Sequence, residues 1–170
     1  MAETLDPALP PEVQELADEV LELADARELK LATAESCTGG LLAALLTDVE
    51  GRGHVFERGF VVYSKDAKCD LLGIARDKVE ACGAVSEEIA IEMARGALRR
   101  SRADLALAIT GFAGPAGEDE EEGLVHFACA RREGATGHRE EHFGPIGRQG
   151  VRIEALQVAL DMLRRAISSQ

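Results

Sequence analysis

The sequence predicts a three-layer α/β/α sandwich built around a mixed sheet. Three observations carry the prediction. At 170 residues, 46% of them hydrophobic, the chain suffices for one domain with a sizeable core. Early in the chain, helix-periodic segments alternate with strand-like ones, the pattern of strands joined by crossover helices. Late in the chain, two strand-like runs meet at a short turn, and a hairpin of that kind makes the sheet mixed.

The elements follow in order. Residues 1–11 contain Pro7, Pro10 and Pro11 and read as a loose tail, which leaves 12–170 as a single domain. Val13, Leu16, Ala17, Val20, Leu23 and Ala24 share one face of a helix. KLATAE (30–35) is a short buried strand, followed by the helix GGLLAALLTD and a glycine-containing turn, EGRG. β-Branched and aromatic residues make ERGFVVYS (57–64) a strand. Ser64 caps the helix KDAKCDLLG, which Gly73 ends, and DKVEACG is a short helical turn. Ser86, followed by Glu87 and Glu88, starts a helix to about Arg100 with Ala90, Met93, Ala94 and Ala97 on its core face. ADLALAIT (103–110) suits helix or strand by propensity, but its shortness and the break GFAGPAG favour a buried strand. GLVHFACARR and ATGHREEHF are the hairpin strands, turning at Glu133 and Gly134, and a last helix runs from about Arg148 to Ile167.

A net charge of −12 argues against sequence-independent nucleic-acid binding, which needs a basic surface. It leaves room for a small anionic ligand in a local basic pocket. No apolar run is long enough to span a bilayer, so no membrane partner is expected. The start, MAETLDPALPPE, lacks the basic and apolar regions of a secretory signal, so the expected location is cytoplasmic. Cys37, Cys69, Cys82 and Cys129 are widely spaced, with no CxxC motif, and read as reduced thiols instead of a disulfide framework or zinc site.

The chemistry concentrates at AESCTGG (34–40), a strand-to-helix turn. Such a turn gathers free N–H groups at the positive end of a helix dipole, Thr38 is placed to cap it, and Gly39 and Gly40 admit a ligand close to the backbone. Ser36, just ahead of these donors, sits where an acyl-transfer nucleophile needs to be. Two other readings stand beside this one: a plain helix cap with glycine for tight packing, or Cys37 as the nucleophile.

A serine needs a base, and the spacing of His54, His126, His138 and His142 announces no triad. Lys68, in the first turns of the helix after Tyr63, is the stronger candidate. A cation near a helix N-terminus is disfavoured, and a desolvated amine there can work as a neutral base, with Tyr63 relaying or orienting the proton. Two solvated lysines, Lys65 and Lys68, and a core tyrosine are the bland alternative. Arg148 and Arg152 lie four apart at the start of the last helix, on the face that continues to Leu156, Ala159 and Leu163. They are expected to head that buried stripe and to hold an anion or bond to structural carboxylates. TGFAGPAG (110–117) makes Thr110 and Gly111 candidates for lining a pocket at the strand ends. EDEEE (118–122) lacks metal-loop spacing and reads as a solvated loop, so no metal site is expected.

ATAESCTGG, FERGFVVYSKDAK, GAVSEE, TGFAGP and the terminal arginine-bearing helix occur together and in this order. On these motifs the chain, over roughly 13–167, resembles the CinA C-terminal domain family, whose stand-alone members deamidate nicotinamide mononucleotide. The resemblance implies a three-layer α/β/α sandwich with a mixed, mainly parallel sheet. It implies an amidohydrolase giving nicotinic acid mononucleotide and ammonia in pyridine nucleotide recycling, with no metal or organic cofactor. It makes Ser36 the nucleophile, Tyr63 and Lys68 its base, and Arg148, with Arg152 one turn on, the arginine at the start of the last helix. With Thr38, Gly39, Gly40, Thr110 and Gly111 from the local reading above, these arginines make up the expected substrate-binding set. A homo-oligomer, with a dimer favoured, is implied as well. The acidic stretch 118–122 replaces a neutral-to-basic loop of the family, which motivates an alternative: a catalytically weak nucleotide-binding or accessory interaction domain.

Overall fold

The structure, a computed structural model, describes residues 9–169. Its elements are α1 (Pro11–Ala26), β1 (Leu31–Glu35), α2 (Leu41–Thr47), β2 (Phe56–Val61), α3 (Lys65–Leu72), α4 (Arg76–Cys82), α5 (Glu87–Arg99), β3 (Leu105–Gly111), β4 (Leu124–Arg131), β5 (Gly137–His142) and α6 (Gly147–Ser168). The sheet order is β2-β1-β3-β4-β5. β1 pairs parallel with β2 and β3, whereas β3, β4 and β5 pair antiparallel. The expected mixed sandwich is therefore present, with its parallel part centred on β1.

Side-chain alternation along the central strands builds two unlike faces. Leu105, Leu107 and Ile109 of β3 and Val125, Phe127 and Cys129 of β4 pack with α1, α2 and α6. The intervening Ala106, Ala108, Ala128 and Ala130, with Ala32 and Ala34 of β1, face α3, α4 and α5. This alanine face lets α5 come close, and α5 answers with Ala90, Met93, Ala94 and Ala97, all fully buried as expected.

The boundaries differ from expectation in two informative places. The helix α1 opens at Pro11, since proline's fixed φ and missing N–H suit a first helical position, and Leu9 is buried in the core. The expected tail therefore gives up 9–11, and its residues 1–8 lie outside the described residues. The strand β2 ends at Val61, three residues early, because Ser64 turns the chain into α3 by accepting the Ala67 N–H.

This topology decides where a site can form. The strands β1, β2 and β3 are parallel, and β5, two antiparallel steps from β3, runs the same way. The segments after all four strands therefore emerge at one edge of the sheet. From β1 the chain goes to β2 on one side and returns to β3 on the other, which opens a crevice at the strand ends.

Candidate active site

The cavity at that edge has a volume of about 260 Å³. Its floor is Ser36 and Lys68, its walls come from Ala84, Thr110 and the segment after β3, and Tyr63 and Arg148 stand at its margins.

Lys68 is 1% exposed. Its Nζ donates to the Val62 carbonyl at 2.8 Å and lies 3.0 Å from Ser36 Oγ. Among the described residues it has no carboxylate partner, and burial lowers its pKa from 10.5 to about 8. A neutral amine fits the geometry: one N–H goes to the carbonyl, and the lone pair meets the serine hydroxyl. Lys68 is thus neither solvated nor ion-paired, which removes the bland reading of that lysine. Cys37 also lines the cavity, but burial, with Glu35 nearby, pushes its thiol up to about 12. The thiolate needed for attack is therefore scarce near neutral pH. Cys37, Cys69, Cys82 and Cys129 are free thiols.

The turn that presents Ser36 is held differently from expectation. Thr38 is not the cap of α2: its hydroxyl donates to Glu35 Oε2 at 2.6 Å. The cap position is Gly40, at φ 98° and without a side-chain acceptor. Glu35 does the capping from the end of β1, accepting the N–H groups of Leu42 at 3.0 Å and Ala43 at 2.8 Å. A carboxylate at 0% exposure is tolerable because three donors satisfy it. With Glu35 occupying the α2 terminus, the donors left for a ligand lie earlier in the turn. Among the described residues the N–H groups of Cys37 and Thr38 meet no backbone acceptor. Sequence reasoning passed over Glu35, although an acidic residue closing an otherwise apolar strand was the signal available.

Arg152 and Arg148 divide the tasks expected of them jointly. Arg152 is half-buried and its Nε donates to the Cys37 carbonyl at 2.9 Å, tying the nucleophile turn to α6. Arg148 is exposed, correcting the expectation that both arginines head the buried stripe; Leu156, Ala159 and Leu163 of that stripe are fully buried. Arg148 lies in the first turn of α6, which begins at Gly147, and its side chain reaches the segment after β3. Its guanidinium lies against Gly114, where a Cβ would come within 2.5 Å of Nη2, and it makes no ion pair among the described residues. Gly123 secures this approach: a Cβ there would sit 2.3 Å from the Gly144 carbonyl, so the loops after β3 and β5 can touch only through glycine.

Thr110 is buried and donates to the Ala84 carbonyl at 2.7 Å, fixing the wall that leads to Ser86, the cap of α5. Gly111 lines the cavity beside it. Gly39 and Gly40 lie outside the lining and supply the left-handed backbone of the turn, at φ 62° and 98°. Tyr63 is 66% exposed instead of packed in the core, and its hydroxyl bonds to neither Lys68 nor Ser36. The acidic stretch 118–122 lines no part of the cavity; Glu121 bonds His142 at 2.6 Å and Glu120 accepts the Gly117 N–H.

Comparison with known proteins agrees with this fold. The chain is 44% identical over 154 residues to the nicotinamide-nucleotide amidohydrolase PncC of Escherichia coli strain K12, covering 89% of this chain and 93% of that protein. A CinA-like protein of Mycolicibacterium gilvum is 49% identical over 140 residues, 81% of this chain but 33% of that longer protein. The crystal structure of the competence/damage inducible protein CihA from Agrobacterium tumefaciens superposes with a TM-score of 0.91 at 42% identity, covering 99% of each chain. No helix among the described residues is long and apolar enough to cross a membrane. The family model of the CinA C-terminal domain matches residues 13–167, and the chain belongs to that family.

Proposed function

We propose that this chain hydrolyses the carboxamide of nicotinamide mononucleotide to nicotinic acid mononucleotide and ammonia. The observation that carries the proposal is the buried contact of 3.0 Å between Lys68 Nζ and Ser36 Oγ at the floor of the cavity. The name of the E. coli relative supports the substrate class.

The neutral Lys68 amine takes the Ser36 proton as Oγ attacks the carboxamide carbon. The C–O bond forms, the carbonyl becomes an oxyanion, and the N–H groups of Cys37 and Thr38 receive that charge. Collapse breaks the C–N bond, and the Lys68 ammonium returns its proton to the leaving nitrogen, which departs as ammonia. Water then attacks the Ser36 ester, Lys68 takes its proton, and Ser36 leaves with that proton restored. Arg148 and the N-terminus of α6 hold the 5′-phosphate, the role that fits a guanidinium at the cavity margin with no ion pair among the described residues. Thr38, Gly39, Gly40 and Arg152 act on the substrate through the shape of the nucleophile turn, whereas Thr110 and Gly111 form its wall. A homo-oligomer, with a dimer favoured, remains part of this proposal, as does a cytoplasmic setting without nucleic acid or membrane partners.

Because the acids of 118–122 lie outside the cavity lining, they give no ground for preferring a catalytically weak domain. Ammonia release from nicotinamide mononucleotide, measured for wild type and Ser36→Ala, tests the proposal. Turnover in the wild type and its loss in the variant are expected; equal rates would overturn it.

A further inference from the structure

We infer that Tyr63 and Phe112 form an aromatic clamp that selects a positively charged ring, so that the site prefers an N-glycosylated nicotinamide cation over an uncharged ring of the same shape. The inference rests on the proposed substrate class and assigns a specificity element within it.

Among the described residues the cavity lining includes two basic side chains, Lys68 and Arg148, and no carboxylate. A nicotinamide ring bound through nitrogen to ribose carries a positive charge, yet the lining offers it no ion pair. The groups that attract a cation without carrying charge are the faces of aromatic rings, and the cavity is lined by two, Tyr63 and Phe112.

Both rings are carried on pinned backbone. Tyr63 follows Val62, whose N–H donates to the Glu35 carbonyl and whose own carbonyl accepts from Lys68; it precedes Ser64, the cap of α3. Phe112 donates its N–H to the Leu124 carbonyl and accepts from Gly123 N–H. The chain thus fixes the Cα position of each aromatic residue while leaving a ring on the cavity. Tyr63 at 66% exposure, with its hydroxyl free of Lys68 and Ser36, is a poor proton relay and an available stacking surface. Val62 also links the two functions, since the carbonyl that holds the base adjoins the residue that carries the ring.

Calorimetry on Ser36→Ala protein, which binds without turnover, tests the clamp with two probes. These are nicotinamide mononucleotide and its ring-reduced dihydro form, which keeps the carboxamide, ribose and phosphate but has no ring charge. The cationic nucleotide is expected to bind about 3- to 10-fold more tightly. Adding Tyr63→Leu should erase most of that preference, and Tyr63→Phe, which keeps the ring face and loses the hydroxyl, should restore it. Phe112→Leu supplies an independent variant with the same expected loss. An unchanged preference in both leucine variants would overturn the clamp. So would Tyr63→Phe in the Ser36 enzyme losing kcat as fully as Tyr63→Leu at unaltered KM, since that assigns the hydroxyl to proton transfer. Binding of both probes without preference removes the clamp alone. Absence of both binding and wild-type turnover removes the substrate reading and the clamp with it.

Discussion

Replacing Lys68 by methionine removes a buried amine while keeping an unbranched apolar stem, and the effect on stability depends on pH. Burial lowers Lys68 from 10.5 to about 8, so the fold penalises the charged form by about 3 kcal/mol. The penalty is felt in full below the folded value, where the native protein must hold an ammonium in its interior. It fades as pH rises toward the unfolded value, where the unfolded chain loses its proton too. Integrating proton uptake between about pH 7 and about pH 9.5 gives the wild type a gain of about 2 kcal/mol over Lys68→Met. Groups common to both proteins cancel in that difference. Denaturant unfolding of the two proteins across this window measures it, and for a domain of this size it equals a relative shift of about 4–8 °C in Tm. Losing the bonds to Val62 and Ser36 offsets the variant's stability by a nearly constant amount, so the slope carries the test. Two stability curves that stay parallel would refute a lysine whose proton the fold has loosened.

Two further outcomes follow. In the free enzyme kcat/KM should rise with pH through an inflection near the Lys68 value of about 8 and then level off; a flat profile through that region would deny Lys68 the role of base. Glu35→Ala leaves the Thr38 hydroxyl and the Leu42 and Ala43 N–H groups without their acceptor, and should cost on the order of 3–5 kcal/mol in unfolding experiments. Glu35→Gln, which retains one good acceptor, should stay folded and lose kcat more than KM as the turn beneath Ser36 loosens; an alanine variant within about 1 kcal/mol of wild type would remove Glu35 from the account.

The layered fold was legible because period and punctuation agree in this chain. Strand-like runs alternate with helical ones, and Ser64, Gly73 and Ser86 mark ends that the structure uses as caps. Parts of the site were legible for the same local reason: a hydroxyl and two glycines on one turn, and a lysine early in a helix. Their meeting was not, because 32 residues separate Ser36 from Lys68 and only the parallel pairing of β1 with β2 brings them together. Glu35 escaped notice because caps are sought at the residue before a helix, whereas this one reaches forward from the end of a strand to Leu42 and Ala43. Arg148 and Arg152 share a helical face by spacing, yet one bonds a carbonyl and the other faces water, a difference made by the neighbouring loops. Tyr63 looked like a strand residue until the Ser64 cap ended β2 early and left its ring at the margin of the cavity.

The claim that most needs a direct measurement is that Ser36 Oγ, with Lys68 as its base, attacks the carboxamide. Acid quenching of wild-type protein during turnover of nicotinamide mononucleotide, followed by peptide mass mapping, reads the covalent intermediate itself. The account predicts a nicotinoyl nucleotide ester on Ser36, absent from Ser36→Ala and from Lys68→Met. An adduct mapped to Cys37, or ammonia release that persists without Ser36, would contradict it.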